Sequence, residues 1–397
     1  MLSYEDALTT LLEAARPPAG GETLDLTAAR GRVLAVPVRA GVAVPPADNS
    51  AMDGYAIRCA DLAEGTPLPV SQRVPAGALP EPLRPGSAAR IFTGAPVPPG
   101  ADAVVMQERC EALDGAVRVN HAARPGDNIR RAGEDIAAGS ELIAAGTRLA
   151  SAHLGLLASV GVARVEVFAR LRVAVFFTGD ELVTPGAPLA PGQIYNSNRY
   201  VLRGLLDELG CEVTDLGIVR DGLAETRAAL RRAAGGHDLV LTCGGVSVGE
   251  EDHVKTAVLA EGALDSWRIA IRPGKPLAFG RVGDTPFIGL PGNPVSSYVT
   301  FQMLARAYIR RCQGECDALP RALVARADFD WPRAAPVREF LRVRRNAAGG
   351  LDLFPHQGSG VLSACAWADG LVSNPPGQTI AAGDLVHYIP TGGPACL

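Results

Sequence analysis

The sequence predicts a multidomain α/β protein: a central doubly wound α/β domain, a β-rich second domain and a small C-terminal β-barrel domain. Three observations predict it. From residue 170 to 312, apolar runs of strand length alternate with amphipathic helical stretches, the rhythm of a parallel sheet with helices on both faces. From about Pro45 to Gly139, short apolar runs are punctuated by Pro and Gly, which suits strands and loops. From 320 to 397, short alternating runs return, separated by AAGG, NPPG and AAGD, which suits a small barrel or sandwich.

Taken in order, SYEDALTTLLEAA reads as a short helix in which Ser3 and Asp6 form a capping pair and Leu8, Leu11, Leu12 and Ala15 share a face. Residues 151–161 read as a helix and 162–169 as an alternating strand. In the central region, RVAVFF (172–177) is a strand ending at TGDE. The helix over 199–210 places Val201, Leu202, Leu205, Leu206 and Leu209 on one face. The strand over 211–219 ends at RD, a second helix covers 223–234, the strand HDLVLT (237–242) runs into TCGG, and a third helix covers 252–262. The stretch RIAIR (268–272) reads as one strand whose alternation puts Arg268 and Arg272 on the same face, although two solvated arginines would give the same pattern. Thr285 to Ala305 is uncharged and long enough to span a bilayer, but LPGNP breaks it, so a buried strand–turn–helix is expected and no membrane span.

Composition narrows the function. A net charge of −4 and 20% charged residues describe an ordinary folded chain, not one that lives on a nucleic-acid backbone. The eight cysteines are scattered without zinc-ligand spacing, which suits free thiols in a reducing cytoplasm. The start, MLSYEDALTT, is acidic and lacks the apolar core of a signal peptide.

In doubly wound sheets, ligands bind beyond the carboxyl ends of the strands. Five such turns gather on one rim here: TGDE (178–181), RD (220–221), TCGG (242–245), IRPGK (271–275) and LPGNP (290–294). Glycine-rich turns let backbone N–H groups approach an anion, yet TCGGVSVGEED (242–252) sets three acids beside that turn. Phosphate and carboxylates coexist if a divalent cation bridges them, and Mg2+ takes one or two carboxylates plus substrate phosphates. Glu181, Asp221, Glu250, Glu251 and Asp252 are the candidates; the plainer alternative is an ordinary tight turn followed by helix N-terminal acids. No Ser/His/Asp or Cys/His arrangement and no G-x-x-x-x-G-K-[ST] loop is present, which disfavours covalent catalysis and an ordinary P-loop ATPase.

PPADNSAMDGYAI (45–57), IFTGAPVPPGADAVV (91–105), NIRRAGEDI (128–136), TGDEL (178–182), GGVSVGEED (244–252), IRPGKPLAFG (271–280) and GLPGNPVSS (289–297) occur in order, and together they resemble the MoeA family, whose eukaryotic relatives include the E domain of gephyrin. The resemblance covers essentially the whole chain, and 170–312 is also similar to the single-domain molybdopterin adenylyltransferases. It implies four units: 1–20 with 170–319 as the central domain, 21–40 with 141–169 as a linking domain, 41–140 as the β-rich second domain and 320–397 as the C-terminal barrel. It implies an activity as well, insertion of molybdate into adenylylated molybdopterin with release of AMP, assisted by Mg2+.

Carried over motif by motif, Asp221 and Asp252 resemble the metal and pyrophosphate carboxylates, and Glu181, Thr93, Asp53 and Asp135 further catalytic positions. Gly244, Gly245 and Ser247 belong to the substrate-binding turn, and Arg268, Arg272, Lys275, Ser296, Arg342 and Ser359 to positions that hold the oxyanion or the pterin phosphate. Arg268 and Arg272 stand where many relatives have lysine, so a planar two-pronged donor replaces a point charge. The family likeness further implies an elongated homodimer whose second and C-terminal domains approach the partner's central domain, with the molybdopterin adenylyltransferase as a further expected partner. The alternatives carried alongside are the adenylyltransferase reaction itself and a gephyrin-like scaffold.

Overall fold

The computed structural model describes residues 1–18, 20–245 and 253–391; Ser247, Glu250, Glu251 and Asp252 lie outside the described residues. Strand-length apolar runs assemble into a six-stranded central sheet in the order Glu212–Val219, Arg172–Thr178, Leu239–Cys243, Thr285–Leu290, Pro276–Val282, Gly262–Arg268. The first four strands are parallel and the last two join antiparallel. Because side chains alternate along a strand, Val173, Val175 and Phe177 enter one core while Ala174 and Phe176 enter another.

The first core takes Leu202, Leu205 and Leu206 of the helix Ser197–Glu208, Val295 and Val299 of the helix Pro294–Thr300, and Ala7, Leu8 and Leu11 of the helix Tyr4–Ala14. The second takes Leu230 and Ala233 of the helix Leu223–Ala234 and Val254, Ala257 and Val258 of the helix His253–Glu261. This is the doubly wound arrangement expected, down to the N-cap of the first helix, where Ser3 Oγ accepts the Asp6 N–H at 3.0 Å. Residues 285–305 form the strand Thr285–Leu290, the turn and the helix begun by Pro294, and among the described residues no helix is long and apolar enough to cross a membrane.

The single strand expected over 268–272 is not formed. The chain leaves the central sheet at Arg268, which pairs with Pro276, and Ile271–Arg272 instead pairs in parallel with Arg338–Glu339 of the C-terminal sheet. Leu2 causes the break from outside the segment: its N–H donates to Arg268 O at 2.9 Å and its carbonyl accepts from Ala270 at 2.8 Å. Ile269 and Ile271 are both buried, as alternation requires, but their backbones satisfy different partners. Arg268 and Arg272 therefore do not share a face of one strand.

The β-rich region holds a six-stranded sheet ordered Ala103–Met106, Gly54–Ile57, Ala88–Ile91, Leu68–Val74, Ala116–Val119, Cys110–Leu113. Leu34, Ile143, Leu149, Leu157, Val165 and Val167 form a separate small core beside the pairing of Gly21–Asp25 with Arg164–Phe168. Near the C-terminus, the strands Arg338–Arg345, Gly350–Leu353, Leu323–Ala327, Leu385–Pro390 and Gly370–Asn374 close into a five-stranded barrel.

Candidate active site

Four parallel strands end side by side at Thr178, Val219, Cys243 and Leu290, and the turns beyond three of them, with Asp221 beyond the fourth, line a cleft of about 560 Å³. Glu181, Asp221, Gly244, Gly245 and Ser296 all face it, so the rim gathers these five predicted residues. Only glycine fits at 244: φ is +99° and a Cβ would lie 2.6 Å from Thr178 O. The Gly244 N–H itself donates to Leu290 O at 3.1 Å, so this residue shapes the turn and leaves anion contacts to its neighbours.

Asp221 sits where the outermost parallel strand ends, its N–H donating to Asp180 Oδ1 at 3.1 Å. With Glu181 it gives the cleft two hard oxygen donors, the chemistry that suits Mg2+ alongside phosphate oxygens. Among the described residues no group of three His, Cys, Asp or Glu side chains is placed to hold a metal by itself.

Asparagines absent from the sequence reading complete the floor. Asn198 Nδ2 donates to Gly292 O at 2.7 Å and to Cys243 Sγ at 3.0 Å, tying the TCGG turn to the LPGNP turn. Asn196 caps the helix Ser197–Glu208 by accepting the Arg199 N–H at 3.1 Å. The signal was available, since YNSN precedes an amphipathic helix with an N-cap residue. Burial pushes the Cys243 thiol up to about 11, which keeps it protonated near neutrality and fits a packing role.

A second cavity, of about 550 Å³, lies between the central domain and the barrel. Arg272, Lys275, Ser296, Arg342 and Ser359 all line it, and Ser296 and Pro276 line both cavities, so the two adjoin there. IRPGK reaches this place differently from the other turns: it precedes the antiparallel strand Pro276–Val282, whose beginning lies at the carboxyl ends of the parallel ones. The Val295 N–H donates to Ser359 O at 3.0 Å, joining the helix start to the barrel loop. Arg342 is buried; its Nη1 donates to Phe340 O at 2.8 Å and its Nη2 to Gly358 O at 3.5 Å, its Nε has no partner among the described residues, and burial pulls its guanidinium down to about 10. A buried cation without a carboxylate is expensive, and a bound anion would offset that cost. Arg268 lines neither cavity.

Asp53, Thr93 and Asp135 lie elsewhere, exposed on the β-rich region and outside both cavities of their own chain. Asp53 Oδ1 accepts the Thr93 N–H at 2.7 Å and the Thr93 Oγ–H at 2.9 Å, and these bonds hold its carboxyl below the usual range. The Asp135 N–H donates to Val44 O at 3.0 Å.

The comparisons with known proteins cover every region just described. Residues 2–161 match the MoeA N-terminal region (domain I and II), 174–311 a probable molybdopterin binding domain and 324–391 the MoeA C-terminal region (domain IV). The chain is 44% identical over 317 residues to the molybdopterin molybdenumtransferase of Haemophilus influenzae, covering 79% of this chain and 78% of that one. It is 38% identical over 387 residues to molybdopterin molybdenumtransferase 2 of Mycobacterium tuberculosis, covering 94% of each. A crystal structure of a molybdopterin biosynthesis MoeA protein from Pyrococcus horikoshii OT3 superposes with a TM-score of 0.86 at 27% identity, over 98% of this chain and 100% of that one. Likeness that runs through all regions at this level of identity settles the kinship: the chain belongs to the MoeA family.

Proposed function

We infer that the chain is a molybdopterin molybdenumtransferase of molybdenum cofactor biosynthesis, inserting molybdate into adenylylated molybdopterin with release of AMP. The observation that carries this reading is the pair of adjoining cavities. One is a glycine-lined rim with carboxylates, suited to a pyrophosphate; the other is a cationic chamber with a buried guanidinium that has no carboxylate partner among the described residues, suited to a tetrahedral oxyanion. Their shared wall at Ser296 lets one substrate lie across both, its phosphates on the rim and its dithiolene toward the oxyanion. The reacting atoms all come from substrate and molybdate, so the chain's own task is positioning and charge stabilisation.

Glu181 and Asp221 are the residues of this cleft that would hold Mg2+; Asp252, the other carboxylate expected from the sequence, lies outside the described residues. Bound there, the ion would neutralise charge on the pyrophosphate and on the departing AMP. Arg272, Lys275 and Arg342 hold the oxyanion by charge-assisted hydrogen bonds, with Ser296 and Ser359 as neutral partners.

Asp53, Thr93 and Asp135 reach the site in a homodimer, where the β-rich region of one subunit faces the rim of the other; their place outside their own chain's cavities supports this. The molybdopterin adenylyltransferase, which makes the adenylylated substrate, is the natural upstream partner. The described cysteines are free thiols, which fits the reducing cytoplasm as the compartment. The test is AMP release from adenylylated molybdopterin with and without molybdate. Release that depends on molybdate is expected, whereas adenylylation of molybdopterin from ATP would overturn the assignment in favour of the earlier step.

A further inference from the structure

We propose that Glu339 is a positioning residue that aims Arg272 into the oxyanion cavity, so that a fixed carboxylate–guanidinium pair, not a freely solvated arginine, meets the anion. The proposal rests on reading this cavity as the molybdate site. Glu339 is 2% exposed and lines the cavity from the barrel strand Arg338–Arg345. Its Oε2 accepts the Trp331 indole N–H at 2.7 Å, and its Oε1 faces Arg272 Nη1 at 3.4 Å.

A carboxylate this deeply buried is costly to leave unneutralised, and one indole donor does not neutralise it. Arg272 has the opposite problem. Its side chain is 67% exposed, and among the described residues Glu339 is its one ion-pair partner. Left alone, such a side chain samples many rotamers, and ordering it would weaken any anion it binds. The backbone prepares the pairing, because Ile271–Arg272 lies parallel to Arg338–Glu339 with Arg272 opposite Glu339 in register.

A negative charge inside an anion site looks self-defeating until the charges lining it are counted. Arg272, Lys275 and Arg342 against Glu339 leave a formal charge of +2, the complement of a compact dianion such as molybdate. Glu339 thus opposes the anion weakly through its own charge and favours it through the arginine it holds.

Those two opposed effects give the test an unusual sign. Molybdate binding is measured by titration calorimetry on the full-length chain as wild type, Glu339→Gln, Arg272→Ala, the double variant and, as the control for the cavity itself, Lys275→Ala. Glutamine keeps an acceptor for Trp331 but loses the charge. With Arg272 present, Glu339→Gln should weaken molybdate about threefold to tenfold, between the value of an exposed ion pair and that of a charge-assisted bond. In the Arg272→Ala background the same change should strengthen binding, because Glu339 is then a stranded negative charge beside a dianion. A merely structural role cannot reverse sign. Equal weakening in both backgrounds, or no effect with Arg272 present, overturns the proposal. If the wild type binds molybdate no better than Lys275→Ala, the reading of the cavity itself fails and the proposal falls with it. Should Glu339→Gln melt too early for titration, Glu339→Asp replaces it, keeping the charge but drawing the carboxylate back by one methylene. It should weaken binding only when Arg272 is present, and equal weakening in both backgrounds again contradicts the proposal.

Discussion

The rim cleft and the cavity between the central domain and the barrel share Ser296 and Pro276 as a wall, yet they are built on different plans. The rim is made of backbone turns at the ends of one sheet, and its charged side chains, Glu181 and Asp221, are exposed. The cavity is made where two domains meet, and two of its four charges, Arg342 and Glu339, are buried while Arg272 and Lys275 are exposed. The difference matches what each is read to hold. A pyrophosphate with its metal stays partly hydrated and is served by exposed carboxylates and backbone donors, whereas a compact oxyanion is told apart by a set of charges of which two are buried. Perturbing one side should therefore leave the other measurable.

The largest expected effect is on the rim. Asp221→Asn should abolish Mg2+-dependent AMP release while molybdate binding stays near the wild-type value, because a neutral amide is a poor ligand for Mg2+. Full turnover in that variant would remove Asp221 from the metal assignment. Next in size is the behaviour of mixed dimers. Asp53→Ala and Asp221→Ala chains, each inactive as homodimers, should yield a mixed dimer with about half the wild-type activity, since a site shared across the dimer then leaves one of two sites intact. A verified mixed dimer that stays inactive would place Asp53 and Asp221 in the same chain's site. Smaller again is Gly244→Ala, whose Cβ would lie 2.6 Å from Thr178 O at a φ of +99°. It should cost about 1–3 kcal/mol through backbone strain, read as a lower melting temperature, and should disturb AMP binding more than molybdate binding.

Sequence reading found the rim and only part of the cavity, and the reason is physical. Strands such as Arg172–Thr178 and Leu239–Cys243 are buried on both faces, so their apolar runs announce them, and the location of a doubly wound sheet's site follows from topology. The cavity has no such rule. Arg342 and Ser359 share a cavity with Lys275 only because the barrel docks on the central domain, so family resemblance, not spacing, points to them. Glu339, near Arg342 in sequence, gives no such signal, because nothing local distinguishes a buried acid in REFLRV from a solvated one. The break at Ile269–Ala270 depends on Leu2, hundreds of positions away in the chain, and local alternation cannot see it.

The smallest effect concerns Asp53. Its carboxyl is held low first by the Thr93 N–H and then by the Thr93 hydroxyl. Since the folded value lies below the ordinary one, the benefit of this bonding is present above the ordinary carboxylate range and lost as pH falls through the folded value. Thr93→Val keeps the N–H and removes the hydroxyl, so the Asp53 titration followed by NMR should move partway up, and an unmoved titration would deny the hydroxyl its role.

The division of labour between the two cavities is tested most directly by a crossed binding measurement with Lys275→Ala and Asp221→Asn. Molybdate and AMP with Mg2+ are each titrated into both variants and the wild type. Lys275→Ala should weaken molybdate about tenfold to a hundredfold, the value of a lost charge-assisted bond, and leave AMP with Mg2+ within about twofold. Asp221→Asn should do the reverse. Loss of both ligands in either variant would contradict the account, because it would mean one site where we describe two.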